Sequence, residues 1–233
     1  MKTRLAASLG AEEAAMLYAA FLQDLSASLG GPGAWRGVVV HDGAAPGPFL
    51  RGRFGASWAF RPQGEGDLGE RLVRAFDASA ARGAPAAAAA GSDAPALRRR
   101  DVEGAFAALE RSDLAVAPSP DGGFSLLALG SSVPASTLLA PVRWSTPGAL
   151  ADLRASAASL GLAASILPEV PDVDVLADLV RLRADLDADP SLAPATARLL
   201  AQLLAASPGA ARGAAPRGAP RRTGACGVRI GAR

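Results

Sequence analysis

The chain has 233 residues and a mass of 23.3 kDa, which suits one α/β domain with or without an appendage. Half of its residues are hydrophobic, and although 56 of these are alanines, the leucines, valines and seven phenylalanines suffice for a core. Because a chain of this composition with a net charge of +2 can collapse, disorder throughout is excluded.

The cysteine and histidine content limits the compartment and the kinds of metal site. Cys226 is the only cysteine, which excludes a disulfide scaffold and favours a reducing, cytoplasmic location. His41 is the only histidine and is far from Cys226 in sequence, which excludes a zinc site. No apolar run reaches the roughly 18–20 residues that a bilayer span needs, and acidic Glu12 and Glu13 argue against a signal peptide.

Charge is distributed unevenly along the chain. Residues 207–233 contain six arginines and no acidic residue, whereas residues 1–206 contain 18 basic and 22 acidic residues. Since the tail is also rich in glycine, alanine and proline, we predict a folded domain over 1–206 and a disordered basic tail over 207–233. The tail arginines have no interleaved aromatic residues, so only non-specific contact with nucleic acid is expected from them.

The first third of the chain contains clear helix and strand patterns. Apolar residues spaced by three and four predict a helix over residues 11–29, and the run at 37–41 predicts a buried strand. Glycine and proline indicate a loop over 43–56, followed by a short strand at 57–60. A second helix is predicted from Asp67 onward.

The segment from Pro85 to Ala90 is ambiguous because alanine prefers helix. The flanking Gly83, Pro85 and Gly91 leave no room for a helix, so a central strand with small side chains is predicted. Farther along, similar patterns predict helices over 101–109, from Pro147 to Leu160, from Asp174 and over 194–205, and strands over 114–117, 124–129 and 163–167. Thr146 is the predicted N-cap before Pro147.

Alternating strands and helices predict an α/β fold, a three-layer sandwich around a mostly parallel sheet. Ligands bind outside the carboxyl ends of such strands. Asp93 follows the alanine strand, and Asp172 and Asp174 follow the last strand, so carboxylates from two strand ends could share Mg²⁺ with nucleotide phosphates. Alternatively, Asp93 forms an Asx-turn and Asp174 caps its helix.

Two further segments are candidate ligand contacts. The glycines after Gln63 precede a helix whose N-terminus could hold an anion, with Arg71 nearby, or Asp67 could simply cap that helix. Asp121, in the turn before Phe124, offers a base or an acceptor contact, or merely shapes the turn. His41 on its apolar strand is interpreted as a satisfied strand residue, and Trp144 as a packing residue.

Six segments follow one another in an order that carries more information than any one of them. The segments are Leu17-Tyr18-Ala19-Ala20-Phe21-Leu22-Gln23-Asp24, Gln63-Gly64-Glu65-Gly66-Asp67-Leu68-Gly69-Glu70-Arg71-Leu72, Gly91-Ser92-Asp93-Ala94-Pro95, Asp121-Gly122-Gly123-Phe124, Trp144-Ser145-Thr146 and Asp172-Val173-Asp174. Through them the chain resembles, over roughly residues 2–200, a bacterial glycosyltransferase-like family. Its members are often described as nucleotide-diphospho-sugar transferases linked to arsenosugar biosynthesis, and it is related to phospholactate guanylyltransferases and molybdenum-cofactor nucleotidyltransferases.

The resemblance implies a GT-A fold with a divalent metal site. It implies Asp93 as the metal-binding aspartate and Asp174 as a second ligand of Mg²⁺ or Mn²⁺. It also implies that the turn containing Asp121 lines the pocket of a nucleotide-sugar donor and its small-molecule acceptor. The remaining residues that it places against the nucleotide or its phosphates are Lys2, Arg4, Gln63, Gly64, Asp67 and Arg71.

The chain departs from the family at its start. Members open with a strand and a phosphate loop that ends in Pro-Gly-x-Val-Lys-Thr-Arg-Leu, whereas this chain begins inside that motif, at Met1-Lys2-Thr3-Arg4-Leu5. The missing strand would lie centrally in the sheet, where its loss exposes two rows of hydrogen-bonding groups. We therefore expect either a start codon upstream of Met1 or an impaired product, in which Lys2 and Arg4 are solvated.

These observations leave three hypotheses for function. The first is a metal-dependent glycosyltransferase that uses a nucleotide-diphosphate-sugar donor. The second is a nucleotidyltransferase that releases pyrophosphate with the help of the same cation. The third is a truncated, inactive remnant of the fold.

Overall fold

A computed structural model of the chain describes residues 3–31, 33, 35–206 and 227–232. Its first half contains α1 (Thr3–Leu9), α2 (Ala11–Leu29), β1 (Trp35–His41), α3 (Pro48–Phe54), β2 (Ala59–Pro62), α4 (Leu68–Ala80), β3 (Ala86–Gly91) and α5 (Arg99–Ala108). Its second half contains β4 (Leu114–Pro118), β5 (Phe124–Gly130), α6 (Ala135–Leu139), α7 (Ala149–Ser159), β6 (Ala164–Ile166), α8 (Leu176–Ala188), α9 (Pro194–Ala206) and β7 (Gly227–Ala232), with a short 3-10 turn at Pro190–Leu192.

One sheet organises the described part of the chain. The strand order is β2-β1-β7-β3-β5-β4-β6, and β5 and β7 are antiparallel to their neighbours. The other five strands run in one direction, because β1 pairs parallel with β2 and β4 pairs parallel with β6. The carboxyl ends of these five strands therefore lie along the same edge of the sheet, which we call the carboxyl edge.

Helices cover both faces of the sheet. Alternate residues of β3 show this directly, because Ala88 packs in a core cluster with α2 and α5, and Ala87 packs in another with α4, α6 and α7. A third cluster joins α1, α8 and α9 to the outer side of α2. The predicted three-layer α/β architecture is confirmed. The sheet is mixed rather than mostly parallel, because β5 and β7 run against both of their neighbours.

A buried aspartate fixes α9 against α2. Asp24 lies on α2, is only 4% exposed, and accepts hydrogen bonds from the Ala195 amide at 2.7 Å, the Thr196 amide at 2.9 Å and the Thr196 hydroxyl at 2.6 Å. These amides are among the first N–H groups of α9, which have no partner inside the helix. Asp24 thus caps a helix that lies some 170 residues later in sequence.

The basic tail is where the sequence prediction is wrong in part. Residues 227–232, predicted as disorder, form β7, which pairs with both β1 and β3 at the centre of the sheet. Residues 207–226, which make up the rest of the predicted tail apart from Arg233, lie outside the described residues, as Arg233 does. The low-complexity composition hides this strand, because β1 and β3 supply its hydrogen-bond partners from far away in sequence. β7 thus occupies a central position of the kind that the family resemblance leaves empty.

Most predicted elements are present, and the differences have local causes. The loop predicted over 43–56 contains α3, whose Phe54 is buried and packs edge-on against Trp58 with ring centroids 5.0 Å apart. The sequence analysis did not predict helices α1 and α6, because their apolar patterns are short. The helix expected from Pro147 begins at Ala149, because the Thr146 hydroxyl accepts from the Gly148 amide and donates to the Arg143 carbonyl in a separate turn. Among the described residues, no helix is long and apolar enough to cross a membrane.

The role of β7 can be tested with a proline. Ile230 is in register with Gly37 of β1 and Ala88 of β3, so Ile230→Pro removes an N–H group from a strand with neighbours on both sides. We expect the free energy of unfolding to fall by about 3 kcal/mol or more. Ile230→Val retains the N–H group and is the control, so it should lower the free energy of unfolding by much less. Urea unfolding followed by circular dichroism measures both, and equal stability of the two variants would contradict this placement of β7.

A second prediction concerns the pH dependence of stability. The Arg143 side chain and backbone amide hydrogen-bond the Asp152 carboxylate at 2.8–3.0 Å, and they lower the pKa of Asp152 from 3.8 to about 2. Because the pKa is lower in the folded state, the stabilisation is present above pH 4 and is lost as the pH falls toward 2. Asp152→Asn should therefore be less stable than the wild type at pH 6, with the difference in melting temperature shrinking between pH 4 and pH 2. A difference that is constant over that range would refute the assignment.

Candidate metal centre

Three aspartates converge at the carboxyl edge. Asp93, Asp172 and Asp174 each place one carboxylate oxygen within 4.8 Å of those of the other two, and all three residues are half-buried. They belong to the loops after β3 and β6, which lie on opposite sides of β5 and β4 in the sheet. The structure therefore brings together Asp93 and Asp174, the two predicted ligands, and adds Asp172.

Asp93 is positioned by the end of β3. It comes two residues after Gly91, the last residue of that strand, and a side chain at Gly91 would place its Cβ 2.4 Å from Asp93 Oδ1. Between them, Ser92 is buried and its hydroxyl lies 2.9 Å from the hydroxyl of Tyr18 on α2. The Asp93 carboxylate is thus carried by a turn whose other residues are closely packed.

Asp172 and Asp174 are carried to Asp93 by an extended segment that crosses the carboxyl edge. Beyond β6, the Leu167 amide donates to Val116 O of β4, the Val170 amide donates to Pro118 O, and the Val173 amide donates to Asp93 O, each at 2.9 Å. Val170 and Val173 are buried and anchor the segment. The segment therefore continues from the side of β4 to the end of β3, and the bond from Val173 brings the two loops into contact.

The following helix fixes the far end of this segment. The Asp178 carboxylate in the first turn of α8 accepts from the amides of Asp174 and Val175 at 2.9 Å. The N-cap position of α8 is Val175, so Asp174 does not occupy the capping position that the sequence analysis offered as its alternative role. Asp174 lies just before the helix, in the acidic cluster.

The donor set fits a hard divalent cation. Three carboxylates supply oxygen ligands of the kind that Mg²⁺ and Mn²⁺ prefer, and they offer no thiolate or imidazole that would select a softer metal. Their close approach also concentrates negative charge, which a cation would compensate. Water molecules would complete the coordination shell of the cation, as is usual for Mg²⁺.

A basic residue lies beside the acidic cluster. Arg4 on α1 places Nη1 3.9 Å from Asp174 Oδ2, and its side chain is 57% exposed. The side chain of Arg4 is largely exposed, as expected, and it also forms this ion pair. The phosphate contact that the resemblance implied for Arg4 stays a prediction. Lys2, for which the same contact was implied, lies outside the described residues.

The segment from Gln63 to Arg71 borders the same edge near β2. The Gln63 amide donates to His41 O at 2.8 Å, and Arg74 donates to the carbonyls of Gln63 and Glu65. Gly64 has a φ of +75°, a left-handed conformation that favours glycine in this loop. The segment thus forms a defined loop between β2 and α4.

The start of α4 follows the capping alternative. The Asp67 carboxylate accepts from the Glu70 amide, and the Glu70 carboxylate accepts from the Asp67 amide, both at 2.9 Å. This reciprocal pair satisfies two N–H groups that an anion would otherwise use. Arg71 is half-buried in the first turn of the helix. Contacts of Asp67 and Arg71 with a nucleotide remain predictions.

Asp121 lies in the turn between β4 and β5. Its Oδ1 accepts from the Ser119 hydroxyl at 2.6 Å and from the Gly123 amide at 2.8 Å, so it shapes the turn as the structural alternative supposed. The residue is exposed at the carboxyl edge, next to the extended segment that carries Asp172. Its catalytic role remains a prediction.

Trp144 packs against both the start of α4 and the turn before β5. Its ring packs edge-on against Phe124 with centroids 5.9 Å apart, and a Cβ at Gly69 would lie 2.2 Å from its Nε1. The start of α4 and the turn before β5 are therefore held close together. This confirms the interpretation of Trp144 as a packing residue.

His41 differs in part from its interpretation. It is buried at the end of β1, and Nδ1 donates to the Asp42 carbonyl at 2.9 Å, but Nε2 has no hydrogen-bond partner among the described residues. His41 is thus a strand residue, as expected, with only one of its two ring nitrogens satisfied.

Sequence reasoning noted Asp172 but did not include it in the predicted ligand set. Spacing gave a signal, since Asp172 and Asp174 flank a buried valine and alternate residues of an extended segment point the same way. The pairing of Tyr18 with Ser92 was also missed, because 74 residues separate them and nothing in the sequence links the two motifs.

Comparisons with known proteins agree with this geometry. A crystal structure of a "putative nucleotide-diphospho-sugar transferase" from Desulfovibrio desulfuricans G20 is similar over 88% of this chain and 89% of that one, with 27% sequence identity and a TM-score of 0.79. This likeness confirms a GT-A-like fold. No curated protein sequence matches the chain. Residues 26–146, just over half of the chain, match the family described as "Uncharacterized protein conserved in bacteria (DUF2064)", and the chain therefore belongs to that family.

Proposed function

We propose that the protein is a divalent-metal-dependent glycosyltransferase that uses a nucleotide-diphosphate-sugar donor. The convergence of Asp93, Asp172 and Asp174 within 4.8 Å at the carboxyl edge carries this proposal. The likeness to the Desulfovibrio protein, whose description names a nucleotide-diphospho-sugar transferase, supports the choice of donor. The location of the three aspartates also supports it, because ligands of open α/β sheets bind at the carboxyl edge.

Asp93, Asp172 and Asp174 would hold Mg²⁺ or Mn²⁺. When bound, such a cation offsets the charge that builds up on the departing diphosphate. The residues around it must then bind and orient the donor. Half-burial of the three carboxylates suits this task, because one side of the cluster is packed against protein and the other remains open to a ligand.

Arg4 is the residue best placed to bind the donor's phosphate groups. Its guanidinium Nη1 lies 3.9 Å from Asp174 Oδ2, at the edge of the acidic cluster. Arginine presents several N–H groups in a fixed plane that match phosphate oxygens. A diphosphate at the acidic cluster would therefore lie between the cation and Arg4, with its charge neutralised from two sides.

The remaining contacts come from loops at the same edge. The loop containing Gln63 and Gly64, and the first turn of α4 with Asp67 and Arg71, would line the nucleotide side of the pocket. Asp121 would accept a hydrogen bond, or the proton, of the acceptor hydroxyl that attacks the anomeric carbon. Its exposed position at the carboxyl end of β4 supports this assignment.

Metal binding is tested most directly with Mn²⁺ and no nucleotide. Asp93→Asn, Asp172→Asn and Asp174→Asn should each weaken Mn²⁺ binding by more than the roughly 10–100-fold that loss of an outer-shell partner costs. Isothermal titration calorimetry provides the dissociation constants. Asp187→Asn removes an exposed carboxylate of α8 that pairs with Arg183, and is the matched control. If Asp93→Asn and Asp187→Asn bind Mn²⁺ equally well, the assigned site is incorrect.

The reaction class is tested by the leaving group. We expect the wild type, incubated with Mn²⁺ and a panel of nucleotide sugars, to release nucleoside diphosphate, with water as a slow acceptor if no better one is present. The Asp93→Asn variant should not. Release of pyrophosphate from nucleoside triphosphates would instead indicate nucleotidyl transfer. A melting temperature that no combination of Mn²⁺ and nucleotide raises would indicate an inactive member of the fold, because a ligand that binds the folded state stabilises it.

A further inference from the structure

Tyr18 lies in the middle of α2 and contacts the turn that carries Asp93. Its side chain is half-buried and packs against both the sheet-facing core and the outer core that joins α2 to α8 and α9. Its hydroxyl lies 2.9 Å from Ser92 Oγ, at a separation of 74 residues in the chain. The bond therefore joins the helical layer to the turn that carries Asp93.

Ser92 is well suited to transmit a constraint to Asp93. It is only 1% exposed and directly precedes Asp93 in the chain. Ala90, two residues earlier, and Ala94, two residues later, are buried in the sheet-facing core on the α2 side. Ser92 thus points into the protein, while the carboxylate of Asp93 lies in the acidic cluster.

Asp93 is held from its other side as well. Its carbonyl oxygen accepts from the Val173 amide at 2.9 Å, which also ties down the loop that carries Asp172 and Asp174. The turn therefore has one tether to α2, through Tyr18, and another to the opposing loop, through Val173. Without the first tether, a buried serine hydroxyl loses a partner, and any shift that recovers one moves Asp93 relative to the other two aspartates.

We infer that Tyr18 is a positioning residue for the metal centre, which acts through Ser92 to set the place of the Asp93 carboxylate. The inference rests on the proposed function, since it requires that the acidic cluster binds a divalent cation. Groups that orient metal ligands without touching the metal commonly affect affinity strongly.

Calorimetric titration of the full chain with Mn²⁺ tests this inference without relying on activity. Tyr18→Phe and Ser92→Ala should each weaken Mn²⁺ binding by roughly tenfold. The two substitutions should be less than additive in the double variant, because both remove the bond between Tyr18 and Ser92. Ser92→Thr, which retains a hydroxyl, should restore much of the affinity. If Tyr18→Phe does not fold, the two serine variants still give the answer.

Ser156→Ala is the matched control for a general loss of stability. Ser156 is a buried serine on α7 whose hydroxyl donates to Leu138 O at 2.8 Å, away from the acidic cluster. The Ser156→Ala substitution should lower the melting temperature without changing the affinity for Mn²⁺. Unchanged affinity in Tyr18→Phe and Ser92→Ala, or an equal loss in Ser156→Ala, would overturn the inference while the metal site stands. A wild-type protein that does not bind Mn²⁺ would overturn both the metal site and this inference.

Discussion

The hydrogen bond from the Val173 amide to the Asp93 carbonyl is the constraint on which the candidate site depends. The loops after β3 and β6 are separated by two strands in the sheet, and each alone carries too few carboxylates to hold a cation firmly. The extended segment crosses that gap because β4 provides carbonyl partners along the way and two buried valines anchor it. Where it meets Asp93, three like charges lie within 4.8 Å. Like charges at this distance repel one another, and a divalent cation bound between them, as we propose, would relieve that repulsion.

Packing and hydrogen bonds also hold the other loops of the carboxyl edge in place. Trp144 joins the start of α4 to the turn before β5, and Arg74 fixes the loop after β2 through backbone carbonyls. Several residues predicted to contact a ligand also have structural tasks, as with Asp67 at the start of α4 and Asp121 in its turn. A structural role does not compete with ligand binding when the group fixes the shape of the pocket wall.

The centre of the sheet is antiparallel, although five of the seven described strands share a direction. β7 comes from the end of the chain and runs against β1 and β3, which share a direction. β1 and β2, which lead to the loop of Gln63, lie on one side of β7, and the strands that lead to the three aspartates lie on the other. The hydrogen bonds of β7 therefore align these two groups of strands. β3 itself contributes five alanines, which bury little area, so backbone pairing rather than side-chain bulk holds this region together.

The sequence by itself determined the features that are written in local patterns. Periodic apolar residues located α2, and glycine and proline flanks revealed β3 despite its alanines. The positions of Asp93, Asp172 and Asp174 after predicted strands made all three candidates, and the family resemblance singled out Asp93 and Asp174 as predicted ligands. Local patterns suffice there because strand and helix preferences, and the position of a residue at a strand end, depend on near neighbours.

Only the tertiary structure decided which distant groups meet. It placed Asp172 in the cluster, paired Tyr18 with Ser92, brought Arg4 beside Asp174 and gave residues 227–232 a place in the sheet. None of these follows from local preference, because each depends on partners that lie far away in the chain and that chain folding alone brings within bonding distance. The low-complexity composition of the tail even predicted the opposite for β7, since a strand with two glycines is stable only where neighbouring strands on both sides supply its hydrogen bonds.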